Sequence, residues 1–338
     1  MPSQPNPAHA PAAMMRAVVH RRYGPPESLA VESVPKPAPA EGEVLIRVRS
    51  ATLNKGDWHL LTGVPYLIRL AGYGVARPDP ISFGQDFAGT VEELGAGVAD
   101  LAAGDAVFGQ VSKGSFAEFA AVPARGLAKK PDSVSFEAAA AIPSSGVTAL
   151  QAVRDVAMLA PGQSILINGA SGGVGSFAVQ IAAHLGAEVT GVCSTPNVAF
   201  VRELGAHRVI DYREHDFADS GEAFDAIFDT VGNRSLSDCA KALRPGGIYV
   251  ACAARGGSVL GPFPRFLKMS LFGKLKRRRM AWFIADAKPG DLDFLADLSR
   301  RGALKPALGT HWDLDGVPEA VAILGSGRAR GKMVIDIA

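Results

Sequence analysis

A short apolar run, a glycine-rich turn and a helical pattern follow one another near the middle of the chain. Residues 164–167, Ser-Ile-Leu-Ile, are too few for a helix and suit a buried parallel strand. The turn occupies residues 168–175, and apolar residues at helical spacing begin at Phe177. A second strand pattern follows at residues 187–193. Strand, glycine turn and helix form the context in which a G-x-G-x-x-G pattern indicates a dinucleotide site.

The glycine turn carries Ala170, Gly172 and Gly175 at the three pattern positions, so the first glycine is replaced. Gly172 would let the backbone approach a pyrophosphate, and Gly175 would let helix and strand pack closely. The free N–H groups and the positive dipole end of the next helix favour bound phosphate. The alternative is a tight turn without a ligand. The turn residues predicted to bind the cofactor are Gly169, Ala170, Ser171, Gly172, Gly173, Val174 and Gly175.

Composition limits the class of protein. The 338 residues exceed a typical single domain, and 48% of them are apolar, which suffices for substantial cores. The net charge of +2 gives no general attraction to nucleic acid or to membranes. No apolar run reaches the roughly 18 residues that a membrane span needs, so we expect no membrane insertion. The three cysteines lack metal-finger spacing and favour a reducing, cytoplasmic location.

The order of patterns along the chain predicts two kinds of structure. Residues 1–13 are proline-rich and lack the apolar core of a secretory signal, so we expect a disordered extension, with a mitochondrial presequence as the alternative. Short strands separated by Gly and Pro turns then predict a barrel-like β module. Inside this module, residues 62–80 are predicted as an irregular loop. After it, residues 147–157 are predicted as a helix. From residue 164, alternating strands and helices predict a parallel, doubly wound sheet.

Further motifs run in order from about residue 15 to the C-terminus. They are Asn54 with Asp57-Trp58, residues 83–89 (FGQDFAG), 103–109 (AGDAVFG), 170–175 (ASGGVG), 204–206 with 210–212, 224–225 with Asp229, and 329–332 (ARGK). Together they resemble the medium-chain dehydrogenase/reductase superfamily, especially its zinc-independent, quinone oxidoreductase-like (zeta-crystallin-like) branch. The resemblance implies an α/β Rossmann cofactor domain inserted in a mainly β, GroES-like catalytic domain. We expect the catalytic domain at 14–143 and the Rossmann domain at 144–284. Residues 285–338 are expected to complete the catalytic domain.

The positions that bind zinc in the resembling alcohol dehydrogenases carry other residues here. Those enzymes have a Cys in the first loop, a His-Glu pair after a glycine and a further Cys before the cofactor domain. The matching positions in this chain are Asn54, Gln85-Asp86 and Ser144. Zinc prefers thiolate, imidazole or carboxylate ligands, so we expect no metal. Asn54, Gln85 and Asp86 also fit an alternative role as hydrogen-bonding groups that stabilise loops.

The end of the second cofactor-domain strand favours NADPH over NADH. An NAD site usually has an acidic residue about 20 residues after the glycine motif, but residues 193–197 contain no carboxylate. In the resembling reductases, Ser194 and Tyr212 lie at phosphate-contact positions, and Arg213 or Lys332 would supply positive charge. The resemblance also places Asn54 and Thr148 near the nicotinamide. The remaining predicted cofactor contacts are Thr195, Asn197, Thr230, Val231 and Gly232.

Without a metal, another group has to stabilise negative charge on the substrate oxygen. Hydride attack on the β-carbon of an enone or quinone gives an enolate whose charge is already spread, so a few fixed donors suffice. We therefore expect a zinc-independent, NADPH-dependent oxidoreductase that reduces quinones or α,β-unsaturated carbonyls. The alternatives are metal-free alcohol or ketone turnover and an NADPH-binding sensor with little catalysis. The candidate catalytic residues are Asn54, Asp57, Tyr66, Tyr73 and Gln85, although both tyrosines also fit a packing role.

Residues 274–279, Lys-Leu-Lys-Arg-Arg-Arg, concentrate positive charge. A solvated helix face and an anion-binding surface are both compatible with this run. A nucleic-acid site is not expected, because no wider basic surface or series of stacking aromatics accompanies it. The resemblance also implies a homodimer that forms through the edge strands of the cofactor domain.

Overall fold

The computed structural model describes residues 13–78, 82–111, 114–252, 259–288, 290–327, 329 and 331–337. The predicted N-terminal extension therefore lies outside the described residues, apart from residue 13. The strands are β1 (Met14–Val19), β2 (Ala30–Pro35), β3 (Glu43–Thr52), β4 (Asp86–Leu94), β5 (Ala106–Gln110), β6 (Phe119–Pro123), β7 (Leu127–Lys129), β8 (Ser164–Asn168), β9 (Glu188–Cys193), β10 (Arg208–Asp211), β11 (Phe224–Asp229), β12 (Leu243–Ala251), β13 (Arg279–Trp282), β14 (Leu308–Trp312) and β15 (Lys332–Asp336). The helices are α1 (Lys55–Thr62), α2 (Phe136–Ala140), α3 (Pro143–Leu150), α4 (Gly173–His184), α5 (Val198–Glu203), α6 (Leu236–Lys241), α7 (Phe263–Lys276), α8 (Asp291–Arg300) and α9 (Val317–Gly325).

Six strands form a parallel sheet in the order β10-β9-β8-β11-β12-β13. Strand β8 is buried at every residue, with Ile165 and Ile167 in one apolar cluster and Leu166 in the cluster on the other face. Burial on both faces explains the continuous apolar run in the sequence. The strand order reverses between β8 and β11, and ligands of such sheets bind beyond the carboxyl ends at that point. The predicted doubly wound sheet is confirmed, and the glycine turn lies at its switch point.

A second, seven-stranded mixed sheet has the order β14-β15-β3-β4-β5-β7, with β6 also paired to β3. Strand β15 pairs antiparallel with β3, with Ile335 opposite Ala51. The last strand of the chain therefore joins the sheet that the first half of the chain builds. This arrangement, with the parallel sheet formed by the intervening residues, is the predicted insertion of a Rossmann domain in a mainly β domain. The residue boundaries given above stay a prediction.

Two local predictions agree with the structure in kind but not in their bounds. The helix predicted over 147–157 begins earlier, at Pro143, whose fixed φ and missing N–H suit the first turn of a helix. It then passes into a π-helical turn at Gln151–Val156. The segment predicted as an irregular loop includes a π-helical turn at Arg69–Tyr73, which non-helical backbone angles at Ala71 and Gly72 interrupt; its residues 79–80 lie outside the described residues. No helix in the described ranges combines the length and the apolar character that crossing a bilayer requires.

Candidate active site

The glycine turn leaves an open space in front of α4. Gly169 has φ +89°, and a Cβ on it would lie 2.4 Å from Thr230 Oγ1, so only glycine fits. A Cβ on Gly175 would lie 2.0 Å from the carbonyl oxygen of Gly169, so turn and helix touch at this residue. Gly172 differs, because a Cβ there would meet only that carbonyl oxygen, at 3.3 Å. Among the described residues, no other atom comes within 4 Å of that Cβ position, so a side chain on Gly172 would be crowded on one side only.

The first turn of α4 presents unpaired N–H groups. The hydrogen bond nearest to this end runs from the Ser176 N–H to the Gly172 carbonyl oxygen, at 2.9 Å. Among the described residues, the N–H groups of Gly173, Val174 and Gly175 have no acceptor. Such groups, together with the helix dipole, attract phosphate oxygens. The pyrophosphate of a dinucleotide therefore fits here, held by backbone groups, whereas the Ala170 side chain is fully buried and Ser171 half-buried.

A buried carboxylate fixes the turn that follows β11, on the other side of the switch point. Asp229 accepts four hydrogen bonds of 2.6–2.9 Å, from the N–H groups of Val231 and Gly232, from Asn168 Nδ2 and from the Tyr249 hydroxyl. The Thr230 hydroxyl donates to the Asn168 carbonyl oxygen at 2.8 Å. The predicted contacts Thr230, Val231 and Gly232 thus form one rigid turn beside the glycine turn. Sequence reasoning noted Asp229 only as part of a motif and did not assign it this role.

Lys332, at the start of β15, enters a buried charged cluster beside the first turn of α4. Its side chain is 3% exposed, and that of Asp86 is fully buried. The ammonium donates to Asn54 Oδ1 at 2.5 Å and to Ser145 Oγ at 3.4 Å, and it lies 3.7 Å from Asp86 Oδ2. The Lys332 Cδ atom would lie 3.6 Å from a Cβ placed on Gly173, so its stem borders the phosphate turn. We call Lys332, Asp86 and Asn54 the buried triad.

Ser144 supplies two further hydrogen bonds to Asp86, and the Asn54 amide also lowers the pKa of this carboxyl by hydrogen bonding. The Ser144 hydroxyl donates to Oδ1 at 2.5 Å, and its N–H donates to Oδ2 at 3.0 Å. Burial raises the pKa of Asp86 and lowers the pKa of Lys332, while their mutual attraction opposes both shifts. Two charges sealed from water are tolerated only when paired and hydrogen-bonded in this way. Thr148 belongs to the same neighbourhood, because its hydroxyl donates to the Ser144 carbonyl oxygen at 2.7 Å.

Asp57 supports the triad from the first turn of α1. Its Oδ2 accepts from the Asn54 N–H at 2.7 Å, the reciprocal half of a capping box. Its Oδ1 is buried and has no hydrogen-bond partner in the described part of the chain. Burial raises the pKa of Asp57 to about 7; the Asn54 N–H and Lys332 oppose the shift, and the Asp86 charge adds to it. Asp57 is therefore a buried cap that positions Asn54 and holds a proton near neutral pH.

The side chains at the positions equated with zinc ligands do not suit zinc. A Cβ placed on Gly56 would lie 2.9 Å from Gln85 Oε1, so the Gln85 amide packs against the first turn of α1. Gly56 follows Asn54 by two residues. Amide and hydroxyl oxygens are poor zinc ligands, and the Asp86 carboxylate is already bound by Ser144. Within the described ranges, no group of three or more His, Cys, Asp or Glu side chains is arranged to hold a metal ion. The donor set does not fit a catalytic zinc.

The two candidate tyrosines lie in the segment that follows α1. Tyr66 is 47% exposed, and its ring packs beneath the Arg69 guanidinium at 4.8 Å. Tyr73 is half-buried, and its carbonyl oxygen accepts a hydrogen bond from the Tyr23 hydroxyl at 2.5 Å. Neither the Tyr66 nor the Tyr73 hydroxyl has a hydrogen-bond partner among the residues described. The structure does not join these tyrosines to the buried triad by any such bond.

The ends of β9 and β10 form the region predicted to hold the 2′-phosphate. The Ser194 hydroxyl accepts from Asn197 Nδ2 at 3.1 Å, and Tyr212 is 52% exposed. The Thr195 hydroxyl is bound to Asp211, and this hydrogen bond lowers the pKa of that carboxyl. Arg213 is exposed, directly follows Tyr212, and has no ion-pair partner among the described residues. Arg213 is therefore the better-placed cation of the two proposed, because the Lys332 ammonium is held in the triad.

Comparison with known proteins identifies the family. A profile described as "Alcohol dehydrogenase GroES-like domain" matches residues 40–132, and one described as "Zinc-binding dehydrogenase" matches residues 204–335. The chain is 32% identical to "Quinone-oxidoreductase QR1, chloroplastic" of Triphysaria versicolor, over 96% of this chain and 98% of that protein. The chain belongs to the medium-chain dehydrogenase/reductase superfamily, in its quinone oxidoreductase-like branch. It is therefore an oxidoreductase that uses a nicotinamide dinucleotide.

Two further relatives agree with this assignment. The oxidoreductase is 32% identical to "2-methylene-furan-3-one reductase" of Solanum lycopersicum, over 95% of this chain and 79% of that protein. Its fold matches the solved quinone oxidoreductase from Coxiella burnetii with a TM-score of 0.86, at 28% identity, over 96% of this chain and all of the other. The predicted family and fold class are confirmed.

Proposed function

We propose that this oxidoreductase transfers hydride from NADPH to a quinone or to an α,β-unsaturated carbonyl compound without a metal ion. The observation that carries this proposal is the buried triad, in which Asn54 and Asp86 occupy positions equated with zinc ligands and Lys332 supplies the positive charge. An isolated ketone needs strong polarisation of its oxygen, which a zinc ion supplies as a Lewis acid. A conjugated acceptor needs less, because the enolate spreads the developing charge and hydrogen-bond donors suffice. The names of the two curated relatives denote acceptors of these classes.

The backbone at the switch point is suited to hold the dinucleotide. Bound NADPH supplies the hydride from its nicotinamide ring. The N–H groups of Gly173, Val174 and Gly175 would bind the pyrophosphate, and the bare Gly172 would let it approach. The turn at Thr230, fixed by Asp229, would line the nicotinamide half of the cleft.

The triad fixes the direction in which Asn54 donates. An ammonium group only donates hydrogen bonds, so Lys332 must face the amide oxygen of Asn54, as the 2.5 Å contact shows. The Asn54 Nδ2 group then faces the Asp86 carboxylate, whose pKa it lowers, and its contact to the Thr52 carbonyl oxygen is long, at 3.4 Å, so one of its two hydrogens is left for a ligand. This amide is a candidate donor to the nicotinamide or to the substrate oxygen, together with the Tyr66 and Tyr73 hydroxyls. We assign Asp57 and Gln85 a positioning role, because Asp57 is buried and Gln85 packs against α1.

Ser194, Tyr212 and Arg213 support the choice of NADPH. A 2′-phosphate carries negative charge, which an unpaired guanidinium attracts and which hydroxyl groups can bind. Arg213→Gln is expected to raise KM for NADPH about tenfold and to leave KM for NADH nearly unchanged. Arg202→Gln, which removes an exposed cation from α5, is the matched control. Equal effects of both variants on NADPH and NADH would contradict the assignment of Arg213.

The decisive experiment follows oxidation of NADPH and NADH with quinones, enones and unconjugated ketones, in the presence and absence of a chelator. We expect chelator-insensitive turnover that prefers NADPH and conjugated acceptors. Zinc that is bound stoichiometrically and required for turnover would overturn the metal-free mechanism. Tight NADPH binding without turnover of any acceptor would overturn the enzymatic proposal in favour of a sensor. The homodimer and the cytoplasmic location stay predictions, to be tested by light scattering and cell fractionation.

A further inference from the structure

Helix α7 presents apolar side chains to solvent along one face. Its opposite face is buried against the parallel sheet through Phe266, Met269 and Gly273. The exposed apolar residues, which we call the α7 stripe, are Phe263, Leu267, Leu271 and Leu275, with exposed fractions of 42%, 64%, 53% and 82%. Each lies four residues after the last, a shift of about 40° around the helix, so the stripe covers an arc of about 120°. The helix is thus apolar on a second face, which the described part of the chain leaves exposed.

Basic side chains lie within the α7 stripe, beside it and at the C-terminal end of the helix. Lys268, Lys274, Lys276 and Arg277 are exposed, and none has a carboxylate partner among the described residues. The sequence contains no Asp or Glu between residues 239 and 285. The face therefore combines exposed leucines with charge of a single sign, although the whole chain carries a net charge of only +2.

The apolar surface extends from the beginning of the α7 stripe onto strand β13. The Phe263 and Trp282 rings meet edge to face with centroids 6.3 Å apart, and Trp282 is itself 38% exposed. Ile284, two residues further along the chain, is 76% exposed. Just before α7, a Cβ on Gly261 would lie 2.6 Å from Pro65, so the segment that carries Tyr66 borders the beginning of the helix.

We propose that the α7 stripe docks this protein onto the surface of an anionic lipid bilayer. An exposed apolar helix face with lysines beside it has the composition of a helix that lies in the membrane interface. The negative surface potential of such a bilayer attracts the neighbouring cations. Each alternative occupant would complement either the apolar side chains or the cations of this face, but not both. A second copy would bring two sets of unpaired cations together, and a nucleic acid would leave the leucines in water.

Docking would orient the candidate active site toward the lipid. The segment with Tyr66 lies beside the beginning of α7, so an apolar acceptor dissolved in the bilayer would reach the cleft from that side. This consequence rests on the proposed function, whereas docking itself does not. Failure of binding and failure of catalysis are therefore separate results.

The test is sedimentation of the full chain with vesicles of equimolar phosphatidylcholine and phosphatidylglycerol, and with vesicles of phosphatidylcholine alone. We expect binding to the anionic vesicles only, weakening as salt is added. Lys268→Gln/Lys274→Gln/Lys276→Gln should lower the partition coefficient about fivefold per removed charge. Leu271→Ser/Leu275→Ser should lower it about tenfold or more. Met158→Ser is the matched control, because Met158 is 62% exposed and lies outside α7.

Three results would overturn the proposal. The first is absence of binding to anionic vesicles, or equal binding to both kinds. The second is wild-type binding by the charge and stripe variants, with circular dichroism showing that both are folded. The third is light scattering in which the stripe variant converts an oligomer to monomers, since the face would then belong to a second copy of the chain. Loss of binding in both variants with retention in Met158→Ser would support docking.

Discussion

Replacing Lys332 by methionine tests the physical basis of the buried triad. Methionine keeps much of the side-chain length but removes the ammonium that lies 3.7 Å from the fully buried Asp86 carboxylate. Removal of one partner of a buried ion pair costs about 3–5 kcal/mol, because the other charge is left uncompensated. Ser144 still donates two hydrogen bonds to Asp86, which favours the lower end of this range. We expect the free energy of unfolding to fall by about 3 kcal/mol at pH 8.

This loss should depend on pH in a definite direction. Burial already raises the pKa of Asp86, and Lys332 opposes that shift. Without Lys332 the folded-state pKa rises further, so protonation of Asp86 removes the uncompensated charge as pH falls through it. The difference from wild type is therefore full above the folded pKa and shrinks below it. Lys332→Met/Asp86→Asn should recover most of the loss at high pH, because no buried charge remains.

Urea unfolding of the wild type, both single variants and the double variant, at about pH 8 and about pH 5, measures these free energies as a double-mutant cycle. Lys241→Met is the matched control, since Lys241 forms an exposed pair with Asp238 on α6 and should change stability by less than about 1 kcal/mol. A loss of less than about 1 kcal/mol in Lys332→Met at pH 8 would refute the reasoning. A loss that persists unchanged in the Asp86→Asn background would refute it equally.

Two other predictions concern single residues. The unfolded chain releases the Asp57 proton near pH 4, and the folded chain releases it near its raised pKa of about 7. The free energy of unfolding of the wild type should therefore decrease as the pH rises from about 4 to about 7. Asp57→Asn should flatten that fall in urea titrations, and a flat wild-type profile would contradict the assignment. Gly172→Ala should keep the melting temperature within about 2 °C and raise KM for NADPH about tenfold, whereas Gly175→Ala, which meets Gly169, should lower the melting temperature by more than about 5 °C. Calorimetry and initial rates would contradict this if the two variants behaved alike.

The cofactor half of the fold was predictable because its strands are buried on both faces. A strand such as β8 has to be apolar at successive positions, and that run is visible in the sequence. The opposite case is β14, which sequence reasoning missed. Leu308–Trp312 pairs only with β15, is exposed at three of its five residues, and has no apolar alternation to reveal it. An edge strand is defined by its pairing partner rather than by its own residues.

The buried triad lay beyond sequence reasoning for a different reason. Asn54 and Lys332 are 278 residues apart, and periodicity reports only on local structure. Resemblance to a family pointed to Asn54, Asp86 and Lys332 individually but not to their pairing, so Lys332 was proposed as a charge for the 2′-phosphate. The α7 stripe illustrates the same limit. A spacing of four residues is readable, but only the packed structure shows which apolar face of α7 is covered.

Lys332 connects the two halves of the candidate site through one side chain. Its stem lies beside Gly173 in the phosphate turn, and its ammonium fixes the amide of Asn54 in the β domain. A dinucleotide phosphate bound by the Gly173 N–H would therefore lie one side chain away from the group that we propose as a donor to the reacting atoms. Movement of the phosphate turn against the β domain would change the Lys332–Asn54 contact directly. For this reason Lys332→Met should raise KM for NADPH and lower kcat together, whereas Arg213→Gln should change KM for NADPH and leave kcat nearly unchanged.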